Sequence, residues 1–146
     1  MIKVFRSILI PTDFSPAAWN AMLVGLELAK AYGSSLTLLH VFPTGNGNEE
    51  MSGFKIEDQL NKVKANMEKI GKGLTEENHQ RLTNVVVSGN VRQQLEEFVQ
   101  KHNFDLVIMG SNSSGSHNTP GTHTMNMIEH SKTPILVVPN QYDDNE

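Results

Sequence analysis

The sequence predicts a single-domain α/β protein, a parallel five-stranded sheet with helices on both faces. Two observations predict it. Short apolar runs at 5–11, 35–42, 82–87, 105–110 and 134–138 have the length and composition of strands buried on both faces. Between them lie stretches whose apolar residues recur every three or four positions, the period of an amphipathic helix. The strand-helix alternation ends on a strand, which implies right-handed crossovers and parallel pairing. At 146 residues the chain is long enough for one domain with its own core. The expected domain spans 1–140, and the polar tail 141–146 is expected to fray.

In chain order, the first strand ends at Pro11 and Thr12-Asp13-Phe14 forms the turn. Ser15 is placed to cap the first helix, with Pro16 at the first helical position, where a missing N–H costs nothing. Ala18, Ala21, Met22, Gly25, Leu28, Ala29 and Tyr32 make its core stripe, and Gly33 suits the left-handed residue that ends it. The second strand stops before Pro43, and the Gly- and Asn-rich stretch 44–53 reads as a loop. Ile56, Leu60, Val63, Met67, Ile70 and Leu74 define the second helix, with Gly71 and Gly73 weakening its last turn. Asn90 caps a third helix that turns Val91, Leu95, Phe98, Val99 and His102 inward. The fourth helix opens at Thr122 as N-cap, with Met125, Ile128 and Ser131 on one face.

Several function classes are disfavoured. A net charge of −4 without a basic stripe argues against a nucleic-acid surface. The chain has no cysteine, so it has no disulfide framework and no thiolate metal site. No apolar run approaches the ~18–20 residues of a membrane span and no secretory leader is evident, so a cytoplasmic protein without a membrane role is expected. His123 and His130 share a helix face but stand about 10 Å apart along its axis, too far for one ion, so no metal site is assigned.

The stretch 105–139 carries the chemistry. A buried strand ends at Gly110, a loop of Ser, Asn, Thr, His, Gly and Pro follows, and a helix then begins. Strand, polar loop and helix N-terminus in that order suit an anion or phosphate. In a doubly wound sheet the ligand crevice lies beyond the carboxyl ends of the strands, where the winding reverses. If strand one adjoins strand four, that crevice is walled by Pro11-Thr12-Asp13, Val41-Phe42 and Gly110 onward.

The segments IPTDFSPAAWNAMLVGLELAKAYGSSLTLLHVF, VVVSGNVRQQL, FDLVIMGS and GTHTMNMIEHSKTPILVVP together resemble the universal stress protein family. The resemblance covers nearly the whole chain. It implies strand order 3-2-1-4-5 in an adenine nucleotide alpha hydrolase-like fold, a homodimer, and binding of ATP or another adenine nucleotide, with Mg²⁺ as a companion. Asp13 and the backbone of Val41 would face adenine and ribose, over a floor of Pro11 and Thr12. Gly110 would approach the ribose and Gly121 with Thr122 would take the phosphates, with Met109 and His123 also among the nucleotide-binding residues. Against the family pattern G-x2-G-x9-G-[S/T], Gly110 fits the first glycine and Gly121-Thr122 the closing pair. Ser113 stands where the second glycine is expected, the loop is two residues shorter, and Gly115 is the nearest substitute.

Three functions follow as alternatives: a nucleotide-responsive dimeric regulator, a family member working only through protein contacts, or an adenylylating enzyme. The last lacks a recognisable base, nucleophile and oxyanion set, so no catalytic residue is assigned and at most slow ATP hydrolysis or autophosphorylation is expected. The dimer contact is expected along 134–138, whose apolar edge seeks a partner, beside protein partners the sequence does not identify.

Overall fold

The computed structural model describes residues 5–43, 53–78, 81–111 and 122–140. Strands β1 (Ser7–Pro11), β2 (Ser35–Pro43), β3 (Leu82–Gly89), β4 (Leu106–Gly110) and β5 (Ile135–Val138) alternate with helices α1 (Pro16–Tyr32), α2 (Gly53–Asn78), α3 (Val91–Lys101) and α4 (Thr122–His130). All strand pairs are parallel, as the strand-helix alternation predicts, and the order β3-β2-β1-β4-β5 is the one the family resemblance implies.

The continuous apolar runs exist because both faces of the sheet are covered. Ile8, Ile10, Leu36, Leu38, Leu106 and Ile108 face a core completed by Ala21, Met22, Leu26 and Ala29 of α1 and Met67 of α2. The alternate residues Leu9, Leu39, Val41, Val107 and Met109 face the other side, against Leu95 of α3 and Met127 of α4. Each such side chain contributes roughly 1.5–3 kcal/mol by leaving water.

The helix signals are realised at named atoms. Ser15 Oγ accepts from the Ala18 N–H at 3.2 Å, and Asn90 Oδ1 accepts from the Gln93 N–H at 3.0 Å. Gly33 closes α1 with φ 67°, its N–H donating to the Ala29 carbonyl at 2.8 Å. The weakened end of α2 nevertheless continues to Asn78. A Cβ on Gly71 would come within 2.4 Å of the Asn84 amide, which donates to the Met67 carbonyl at 3.0 Å. At Gly71 the lost helix propensity is offset by a strand-to-helix hydrogen bond that needs the space.

Several expectations are corrected. The first strand starts at Ser7, not at residue 5, and β2 runs through Pro43. β3 extends to Gly89 because it pairs with β2 as far as Pro43. β4 starts at Leu106, since Asp105 turns its carboxylate onto the Arg6 and Ser7 N–H groups at 2.8 and 3.0 Å. β5 begins at Ile135, and Pro134 contributes only its carbonyl, to the Val107 N–H at 2.9 Å. Tyr32 is exposed and packs edge-on against Phe5, while Leu26 belongs to the core. In α3 only Leu95 is fully buried, and His102 is exposed. In α4, Met125 and Ile128 are exposed, and the buried face carries Thr124 and Met127. Thr122 is the first residue of the helix, so the N-cap position falls on Gly121, outside the described residues. The expected loop at 44–53, apart from Gly53, and the tail 141–146 also lie outside them.

Candidate functional site

β1 and β4 are neighbours whose onward connections leave in opposite directions, to β2 and to β5, so the winding reverses between them. A cleft of about 390 Å³ opens at their carboxyl ends. Pro11, Thr12 and Asp13 line it at and just beyond the end of β1, Val41 and Pro43 at the end of β2, and Met109 and Gly110 at the end of β4. Val91 and Leu95 of α3 supply an apolar wall.

The turn after β1 is tethered on several sides. The Thr12 N–H donates to the Leu39 carbonyl at 2.8 Å. The Thr12 carbonyl accepts from His40 Nδ1 at 2.7 Å in a buried bond. Phe14 takes φ 65°, a left-handed conformation that costs a non-glycine residue roughly 1–2 kcal/mol. That strain is held by the Thr12 hydroxyl oxygen, which accepts the Phe14 N–H at 3.1 Å, and by ring contact with His40 at 4.7 Å. Asp13 at the apex is exposed, and its Oδ1 accepts the Ser15 N–H at 3.0 Å. Its other oxygen accepts from no described residue. The turn-forming and ligand-facing roles of Asp13 are therefore compatible.

On the opposite wall, Gly110 is dictated by packing. A Cβ there would lie 2.7 Å from the carbonyl carbon and Cβ of Ala17, so glycine is what lets α1 sit against the end of β4. The Gly110 carbonyl accepts the Thr124 hydroxyl at 2.9 Å, tying the end of β4 to the first turn of α4. Thr124 is buried and lines the cleft, with its proton committed and its oxygen lone pairs still able to accept.

Six of the sequence-predicted positions thus converge: Pro11, Thr12, Asp13, Val41, Met109 and Gly110. Ser113, Gly115 and Gly121 lie outside the described residues, as do the side chains of Thr122 and His123 at the start of α4. Sequence reasoning missed Thr124, and treated Val91 and Leu95 as core only. The signal for Thr124 is faint, a hydroxyl in the first turn of the helix after a strand ending in glycine. His40 lines the cleft and packs against Phe14.

A polar groove of about 990 Å³ runs along α3 and past the end of α4, with Arg92, His102, His130 and Lys132 among its walls. There Glu96 Oε1 accepts from Asn126 at 2.8 Å and from Arg92 at 3.3 Å. These two bonds, the Asn126 amide first, hold the Glu96 carboxyl below its ordinary range.

The winding, the cleft and the tethered Asp13 turn define a doubly wound α/β domain with an open crevice where the winding reverses. The sequence model of the universal stress protein family matches residues 5–139, and the chain belongs to that family. Universal stress protein UspA from Lactobacillus plantarum superposes with TM-score 0.82 at 19% identity, over 94% of this chain and 99% of that one. A universal stress protein in complex with cAMP gives 0.69 at 18% identity, over 94% and 99%. The universal stress protein from Archaeoglobus fulgidus in complex with dAMP gives 0.65 at 11% identity, over 93% and 99%. At these identities the likeness establishes the fold. No curated protein matches the sequence significantly.

Proposed function

We propose that this chain is a nucleotide-responsive regulator of the stress response, binding an adenine nucleotide in the cleft between β1 and β4. The carrying observation is the convergence of Asp13, Val41 and Gly110 from three strand ends on one cleft with apolar walls. An adenine ring suits the wall of Val91 and Leu95, and the free Asp13 oxygen suits a ribose hydroxyl or exocyclic amine as donor. The first N–H groups of α4 and the Thr122 hydroxyl suit phosphate, with Mg²⁺ accompanying a polyphosphate. The relatives in complex with cAMP and dAMP support the same ligand class.

The functional unit is a homodimer in the cytoplasm, paired along β5, with occupancy of the cleft read by partner proteins. No helix among the described residues is long and apolar enough to cross a membrane. No residue is assigned a catalytic role. One observation favours a second reading, action through protein contacts alone: Met125 and Ile128 of α4 and Leu136 of β5 are exposed large apolar residues at the end of the sheet. Chromatography of the supernatant from denatured protein, followed by calorimetric titration of the refolded chain with adenine nucleotides, separates the two. A stoichiometric nucleotide peak or saturable heat supports the first reading, and neither leaves the second.

A further inference from the structure

We infer that the polar groove along α3 is a second binding site, for a small organic anion with an aromatic or apolar body. The cleft opens at the carboxyl ends of the strands, whereas Asp105 and Thr133, which line the groove, stand just before β4 and β5. Its volume of about 990 Å³ falls within the roughly 300–1,000 Å³ of small-molecule sites. The walls at this end are already ordered. His102 Nδ1 lies 3.0 Å from the Phe98 carbonyl oxygen, which only accepts, so Nδ1 carries the proton and the ring is held. The imidazole stacks on the Phe98 ring at 4.2 Å, and the Phe104 ring stacks on Phe98 at 5.8 Å. Phe104 is half-buried and lines the groove with Val99 and Met127. Ring and aliphatic faces fixed by their neighbours receive a flat apolar body at little cost in conformational entropy.

The sign of the ligand follows from which polar groups are already committed. Arg92, Lys132, Glu96 and Asp105 balance in formal charge but not in availability. Asp105 Oδ2 accepts the Arg6 and Ser7 N–H groups at 2.8 and 3.0 Å. Glu96 Oε1 accepts from Asn126 at 2.8 Å and from Arg92 at 3.3 Å. The Ser131 hydroxyl donates to the Thr133 carbonyl at 3.0 Å. Both carboxylates and the hydroxyl are thus engaged within the protein. Lys132, by contrast, is exposed and has no partner among the described residues. The Arg92 contact with Glu96 uses Nε, which leaves the other guanidinium nitrogens without a partner among the described residues. What remains to meet a ligand is cationic donors beside apolar walls. A carboxylate, sulfonate or phosphate on an apolar body is the complement.

The test is fluorescence titration of the whole chain with 1-anilinonaphthalene-8-sulfonate, beside its uncharged analogue N-phenyl-1-naphthylamine, with amide NMR shifts to locate the probe. The sulfonate is expected to saturate at one site and to shift the amides of Val99, Phe104 and Lys132. Lys132→Glu, at an exposed position, is expected to weaken it at least about tenfold, the scale of one charge-assisted hydrogen bond. Lys132→Arg keeps the wild-type affinity, and the uncharged analogue binds more weakly and is indifferent to both substitutions. Equal affinity of the sulfonate for Lys132→Glu would overturn the inference, leaving Lys132 only to complement the carboxyl end of α4. Shifts confined to residues 11–13, or to the exposed Met125, Ile128 and Leu136, would overturn it by placing the probe elsewhere. The absence of saturable binding would overturn it as well.

Discussion

His40 Nδ1 lies 2.7 Å from the Thr12 carbonyl oxygen, a buried bond from the middle of β2 to the turn that carries Asp13. A carbonyl only accepts, so the proton sits on Nδ1, and in the neutral ring Nε2 is the acceptor. The ring also rests on Phe14, whose left-handed φ sets the turn. His40 therefore connects sheet core and cleft rim. Replacing it with Phe keeps the ring and removes the donor, leaving the buried Thr12 carbonyl short of a partner. The expected loss is about 1–3 kcal/mol in urea unfolding, together with weaker ligand binding. His40→Asn, with an amide near the Nδ1 position, restores part of both.

Gly110→Ala forces a methyl against the Ala17 backbone at 2.7 Å, where backbone rather than a flexible side-chain end must yield. The helix start of α1 must shift, with an expected cost of about 1–3 kcal/mol. Thermal unfolding without ligand checks it. A destabilised apoprotein supports the packing role, whereas an unchanged midpoint with lost binding would make Gly110 a ligand contact only.

The Glu96 carboxyl is held below its ordinary value of 4.5 by the Asn126 amide and then by Arg92. A carboxyl with a depressed native pKa contributes stability that is complete above the unfolded value and disappears as pH falls through the native one. Asn126→Ala removes the larger cause, so the Glu96 titration seen by carbon NMR moves up toward 4.5. No movement would mean that the α3–α4 hydrogen bond does not persist in solution.

Much of the fold is legible because physics repeats itself along the chain. Runs such as residues 106–109 read as two-faced strands since alternate residues enter opposite cores, Leu106 and Ile108 one and Val107 and Met109 the other. Ser15-Pro16, Gly33 and Asn90 announce helix ends because each satisfies a backbone need visible in one residue. The buried face of α4 is not legible in this way. Apolar spacing selects Met125 and Ile128, yet Thr124 is buried, since its hydroxyl is spent on the Gly110 carbonyl fourteen residues away. Likewise the tether from His40 to Thr12 joins residues 28 apart and leaves no local pattern. Asp13, Val41 and Gly110 are legible as walls of one crevice because they stand at three strand ends where the winding reverses, whereas their roles toward a nucleotide come from the family resemblance.

Val137 lies on β5, which ends the sheet beyond β4. Val137→Lys places a charge on the strand proposed to pair across a two-fold axis. Sedimentation should then show a monomer where the wild-type chain shows a dimer. An unchanged sedimentation coefficient contradicts pairing through β5.

Occupancy of the cleft between β1 and β4 by an adenine nucleotide is tested most directly by photo-crosslinking. With 8-azido-AMP, irradiation followed by peptide mapping should label peptides containing Pro11–Asp13, Val41–Pro43 or Val91–Leu95, and unlabelled AMP should suppress the labelling. Labelling confined to other peptides, or labelling that AMP does not suppress, would contradict it.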